Sequence, residues 1–316
     1  MATSGSVDFS VSRNQIIEGA LQVVGEYEPG ETVDPEDITT CAFWLNLIVK
    51  QWQGTADFAP GLKTWSRKRG YVFLQKDTVQ YSLGPSGDRA ATSYASTTTS
   101  ASANSGASSV VVTSASGISN GDYIGVELST GALQWTTVNG APAGSTVTLT
   151  ATLTAAVASG ARVFTYASTA QIRRPIAILA AELRDTDTRD TPLRMMDLRQ
   201  YESLPGKIED GTPGAWFYEE QLTNGVMYLD AAPTDVTDVV RIVYLSNIED
   251  FDAASDTPDY PQEAYMALVM ELAKYIAPVF FREFSPGMMQ NRNDAVAIFK
   301  NLNPDTSSIY FEPGRE

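Results

Sequence analysis

Histidine is absent from this sequence of 316 residues, and cysteine occurs once, as Cys41. The first absence removes Ser-His-Asp and Cys-His nucleophilic machinery, the H-E-x-x-H zinc site and any histidine general base, leaving only carboxylate or lysine chemistry to a catalytic reading. The second removes intramolecular disulfides and every multi-cysteine zinc site. Positive charge is scarce too: 22 Lys and Arg stand against 38 Asp and Glu, a formal balance of −16. Such a chain repels a nucleic-acid backbone, since affinity for phosphates comes from neutralising them and releasing their counterions. No apolar run approaches the ~18 residues of a membrane span. The N-terminus MATSGSVDFSVSR lacks the basic-then-apolar pattern of a signal peptide, so synthesis in the cytoplasm and no membrane partner are expected.

The length suits two modules, or one with a large insertion. A capping box, Ser12 with Gln15, opens a helix whose apolar stripe is Ile16, Ile17, Ala20, Leu21 and Val24, with Gly25 as its stop. Asp34 and Pro35 open a second, with Glu36 and Asp37 near the positive end of its dipole and a stripe of Ile38, Cys41, Leu45, Ile48, Val49 and Trp52. Cys41 on that stripe reads as a small core residue. Residues 71–83, YVFLQKDTVQYSL, alternate on either side of Gln75-Lys76-Asp77 and read as a hairpin ending at Gly84-Pro85-Ser86-Gly87-Asp88.

Composition then changes. Residues 91–108 are rich in Ser, Thr and Ala and read as low-complexity linker, while 109–168 carries short strand patterns between Gly/Asn/Pro turns, an inserted small all-β domain. The flanking segments, 1–90 and 169–303, are expected to form one helical body. Within the second of them WFYEE, GVMYLDA and VVRIVYL read as strands. A helix from Pro261 carries Leu268, Leu272 and Ile276 on one face and Met266, Met270, Ala273 and Ala277 on another, and a last helix begins at Ser285-Pro286. The fold class expected is α+β: a mainly helical core with β-hairpins, the inserted β domain and an extended C-terminal arm, 304–316. That arm places Ile309, Tyr310, Phe311 and Pro313 where no periodic partner precedes them, so they read as partner-binding anchors.

Candidate chemistry is sparse. Asp250, Asp252, Asp256 and Asp259 lack the third ligand and the glycine of an EF-hand loop, so helix-entry and loop chemistry explains them better than calcium. Glu219 and Glu220 are adjacent on a strand and point to opposite faces, which prevents their converging on one glycosidic bond. Gly84 and Gly87 precede no helix and form neither a P-loop nor a dinucleotide fingerprint. Lys63, Arg67, Lys68 and Arg69, interleaved with Trp65 and Tyr71, suit contact with DNA or with acidic neighbours. No catalytic, cofactor-binding or metal-ligating residue, and no cofactor, is assigned.

Several motifs in order along the chain resemble those of the head-to-tail adaptor family of short-tailed bacteriophages, also called tail accessory factors or head completion proteins. They are the two N-terminal helices, Tyr81-Ser82-Leu83-Gly84-Pro85-Ser86-Gly87-Asp88, Arg174-Pro175-Ile176 and Thr191-Pro192-Leu193. Then come the Tyr201–Pro205 helix end, Gly211-Thr212-Pro213 before Trp216-Phe217-Tyr218, Tyr228-Leu229-Asp230-Ala231-Ala232-Pro233, and Ile248-Glu249-Asp250-Phe251-Asp252 leading to Pro261-Gln262-Glu263. The resemblance spans about residues 10–89 and 171–300 and leaves the β-rich insertion outside. It implies a mainly helical, non-enzymatic virion subunit at the head-to-tail joint. Further copies would form a twelve-fold ring beneath the portal protein, docked through the C-terminal arm. The ring would extend the channel for passing double-stranded DNA, bound without sequence specificity, and offer a platform to a nozzle or fibre. An acidic wall would let DNA slide. Two other readings stand beside it, a tail-associated peptidoglycan-degrading enzyme and a carbohydrate-binding accessory protein using Trp135 and Tyr123.

Overall fold

The computed structural model describes residues 5–54, 66–206 and 208–301. The chain divides into two units: its two ends, Met1–Ser66 with Ile248–Glu316, form one, and Arg67–Asn247 forms the other.

The end-built unit is helical. Helix α1 (Arg13–Val24) has the reciprocal Ser12–Gln15 capping box, which satisfies backbone N–H groups that a helix start leaves open, and Gly25 ends it at φ 76°. In α2 (Pro35–Gly54), Asp34 accepts the backbone N–H of Glu36 at 2.9 Å. The stripes of both helices meet Leu268, Leu272 and Ile276, so the chain's ends share one apolar core that neither can complete alone. Cys41 lies in that core, where burial, with Asp37 adding a smaller push, raises its thiol pKa to about 12.

The middle unit is made of sheets. Strands β1 (Arg67–Phe73), β2 (Gln80–Leu83) and β3 (Ala90–Ala91) lead into β4 (Ala95–Thr98), β5 (Ser109–Val111), β6 (Tyr123–Glu127), β7 (Leu133–Thr137), β8 (Thr146–Thr148) and β9 (Arg162–Tyr166). There follow β10 (Pro175–Arg184), β11 (Asp190–Pro192), β12 (Arg194–Met195), the short helix α3 (Leu198–Glu202), β13 (Asp210–Gly211), β14 (Ala215–Glu219), β15 (Gly225–Leu229), β16 (Ala232–Pro233) and β17 (Val239–Ser246). Helices α4 (Tyr265–Ile276) and α5 (Pro286–Asn301) then return to the helical unit.

A five-stranded sheet, ordered β11-β10-β17-β1-β3, packs one face on a four-stranded sheet, β12-β14-β15-β2. Val72, Val240, Ile242 and Tyr244 from the first meet Tyr81, Trp216, Met227 and Leu229 from the second. Alternation sends Phe73 and Val239 to the opposite face, where they join Leu133, Phe164 and Tyr166 of the inserted strands. The insertion itself is a four-stranded sheet, β4-β9-β6-β7, with the pair β5-β8, closed around Val110, Val126, Val147 and Val163. Gly125 lets Trp135 lie against the backbone, since a Cβ there would come within 2.7 Å of the indole.

Three expectations are corrected. The core is not mainly helical: the described chain is sheet-rich, with five sheets and five helices, and residues 67–90 and 171–247 belong to the β unit. Strand alternation over short windows was legible, but the pairing of β1 with β17 across the whole middle of the chain was not. Residues 71–83 do not form a hairpin either. β1 pairs with β17 and β3, β2 pairs with β15, and the hydroxyl of buried Tyr81 holds the turn between them, accepting from Gln75 N at 3.0 Å and donating to Thr78 O at 3.0 Å. Residues 91–108, expected to be a linker, hold β4, a full partner of β9, and Thr99, whose buried hydroxyl donates to Ala158 O at 2.6 Å.

Because Phe164 is 1% exposed and packs 5.2 Å from Phe73, Phe164→Ala should lower the unfolding free energy by about 3–5 kcal/mol. Urea titration checks this, and a loss under about 1 kcal/mol would mean that the insertion is merely tethered to the five-stranded sheet.

Candidate association surfaces

In the helical unit, α2 turns Cys41, Leu45 and Ile48 inward and leaves Phe43 and Leu47, four residues apart on its outer side, exposed. A second apolar exposure lies between α4 and α5. Met266, Met270, Ala295 and Ile298 line a groove of about 350 Å³ rimmed by Glu263, Asn291 and Asp294, and Met266 and Ile298 are 63% and 62% exposed. The groove's two helices are clamped by a buried carboxylate. Arg292 Nε donates to Glu271 Oε2 at 2.5 Å, and Lys274 lies 3.5 Å from Oε1. Sequence periodicity marked Met266 and Met270 as a second apolar face, but Phe43, Leu47 and Ile298 were not singled out, although Phe43 and Leu47 stand off the buried stripe.

The β unit carries its charges in groups. Across β11, β10 and β17, Arg241 bridges Glu182 (2.9 Å) and Asp190 (2.6 Å), and Arg184 holds Asp190 through two bonds of 2.7 Å. Arg184, and after it Arg241, keep the Asp190 carboxyl below the usual carboxylate range. Arg67, Lys68 and Arg69 lie at the start of β1, opposite Leu245, Tyr244 and Val243 of β17. β3 pairs with Tyr71 and Val72, and among the described residues no strand pairs with the other side of Arg67, Lys68 and Arg69. Thr92 and Val243 line the recess beside them. Arg67, Lys68 and Arg69 form no ion pair among the described residues. Lys63 and Trp65 lie outside the described residues, as do Ile309, Tyr310, Phe311 and Pro313.

The remaining candidates are structural. Asp256 Oδ2 accepts the backbone N–H groups of Asp252 (2.8 Å) and Ala253 (2.6 Å), its carbonyl accepts Arg13 N at 2.7 Å, and Asp250 pairs with Lys50. That loop caps α1. Among the described residues no group of three or more Asp, Glu, His or Cys could hold a metal ion. Glu219 accepts the Tyr228 hydroxyl at 3.0 Å. At Gly87 a Cβ would come within 2.1 Å of Ser82 O, which accepts Asp88 N at 2.6 Å, so a tight turn accounts for the glycine. Among the described residues no helix is long and apolar enough to cross a membrane. No protein-family model matches the sequence, and no curated protein matches it.

Asp238, just before β17, belongs to an acidic group that sequence spacing did not reveal. Burial, with Asp235 and Asp185 adding like charge and nearby Arg162 offsetting part of it, raises its pKa to about 6. The folded chain therefore binds this proton more tightly than the unfolded one. Its contribution to stability is present below about pH 4 and is lost as pH rises through about 6. Asp238→Asn should stabilise the protein at pH 7 by on the order of 1 kcal/mol, after allowance for solvent screening, and by nothing at pH 3.5. Thermal melts at both pH values check the sign.

Proposed function

We propose that this chain is a structural virion subunit, a head-to-tail adaptor of the short-tailed bacteriophage kind. It assembles with further copies into a ring beneath a portal protein, extends the DNA channel and offers a platform for the next tail component. The observation that supports this best is the pair of unlike apolar exposures on the helical unit: Phe43 and Leu47 on α2, and the Met266–Ile298 groove between α4 and α5. Contiguous apolar exposure marks association surfaces. Two different patches on one subunit suit a heterologous contact, in which one patch meets the other on the next copy, and such contacts close into rings when the rotation permits. The order of the motifs from Tyr81 to Glu263 supports the family reading, and the acidic balance of −16 suits a wall past which DNA slides.

Native mass spectrometry and electron microscopy of the full chain, alone and with the portal ring of its own phage, test the reading. A closed ring is expected, and Phe43→Asp or Met266→Asp should each weaken assembly by about tenfold or more, since a charge is then desolvated in the contact. A chain that stays monomeric at about 100 µM with and without portal would overturn the proposal, as would clearing of purified peptidoglycan by the chain.

A further inference from the structure

In the groove between α4 and α5, Met270 and Ala295 are buried while Met266 and Ile298 stand exposed. Two large apolar side chains open to water on one recess leave transfer free energy that a cover would recover. Ile298 lies in the last turn of α5, three residues before the helix ends at Asn301, so the chain leaves the helix at the groove's own margin. Along α5 the groove runs from Asn291 to Ile298, roughly 10 Å at the helical rise.

The sequence that follows suits the groove. Asn303-Pro304-Asp305 has the composition of a chain reversal, and Ile309-Tyr310-Phe311 is a run of three large apolar residues beginning eight positions beyond Asn301. Eight residues reach up to about 28 Å. That is enough to reverse direction and lay the three side chains anywhere along the recess. Methionine suits an aromatic occupant, because its flexible thioether packs against ring edges.

We infer that the groove is the seat of the chain's own Ile309–Phe311 segment, which covers Met266 and Ile298 in the free subunit. A tether this short gives an effective concentration on the order of 1 mM, so a contact with a Kd of only about 0.1 mM in trans is about nine-tenths closed. A second copy must displace the segment, which weakens its binding to the groove by about tenfold. Glu263 and Asp294 on the rim carry the same charge as Glu312 after the apolar run, so the contact is apolar and salt does not weaken it. The inference deepens the ring reading and rests on it only for the groove's second occupant: the cover leaves before the next copy docks.

Oxidation by dilute peroxide in the full chain tests the seat, because Met195 on β12 and Met266 are equally exposed without a cover, at 64% and 63%. Met266 should form its sulfoxide at least about fivefold more slowly than Met195, and Tyr310→Asp with Phe311→Asp should bring the two rates together. Equal rates in the unaltered chain would overturn the inference, as would protection that survives the double substitution. A cysteine pair identifies which chain supplies the cover. With Met266→Cys and Tyr310→Cys, mild oxidation at about 1 µM should give a cross-linked monomer, whereas Phe43→Cys with Tyr310→Cys should give none. Buried Cys41, with its raised thiol pKa, does not compete. A disulfide that forms only between two chains would overturn the own-chain seat and assign the segment to a neighbour's groove. The ring is read separately, by sedimentation of the Tyr310→Asp, Phe311→Asp chain, which should associate about tenfold more tightly than the wild type. Methionine protection without association of either form at about 100 µM would overturn the ring and leave the seat standing.

Discussion

The antiparallel ladder between β1 and β17 is the constraint on which the rest of the molecule depends. It joins residues 67–73 to 239–245, across nearly the whole middle of the chain. Closing so long a loop costs entropy that grows only slowly with length, and the apolar faces of the closed sheet offset it. One face, Val72 with Val240 and Ile242, is sealed by the four-stranded sheet. The other, Phe73 with Val239, is sealed by the inserted strands. Because the ladder is antiparallel, the chain enters β1 and leaves β17 at the same end of the sheet. That is what lets the segments before residue 67 and after residue 247 fold together into one helical unit.

Both units hold their charges in the same way. Glu271 is nearly inaccessible, and its cost is met by Arg292 from the neighbouring helix. Arg241, Arg184, Glu182 and Asp190 close a network across β11, β10 and β17. Against that background Arg67, Lys68 and Arg69 stand out, since they form no ion pair among the described residues. The helical unit, by contrast, leaves Phe43, Leu47, Met266 and Ile298 exposed.

The helices were readable because each signal is local. Ser12 and Gln15 are three residues apart, Gly25 follows directly, and the stripes of α1 and α2 lie within single helices. Individual strands were readable for the same reason, as in 215–219, 225–229 and 239–246. Partner choice was not. Residues 71–83 alternate on both sides of a turn and look like a hairpin, yet the two strands serve different sheets, because Val72 is completed by Val240 and Tyr81 by the β15 side of the sandwich. The Ser/Thr-rich stretch beginning at 91 looked too poor in apolar groups to order itself. In the fold it is ordered by its neighbours, with β4 pairing to β9 and Tyr94 wedged against Phe73 and Phe164.

By itself the sequence determined which chemistry is unavailable, where helices begin and end, the excess of negative charge, and the presence of a basic run from Arg67 to Arg69, all properties of composition or of residues a few positions apart. Only the tertiary structure decided that the body is built of sheets, that the insertion shares an aromatic core with Phe73 and Val239, and that Asp185 and Asp235, fifty residues apart, crowd Asp238 at the end opposite the basic run. The physical reason is that strand pairing and charge proximity are set by contacts between segments distant in the chain. Local periodicity constrains which face of a strand is apolar and leaves its partner open.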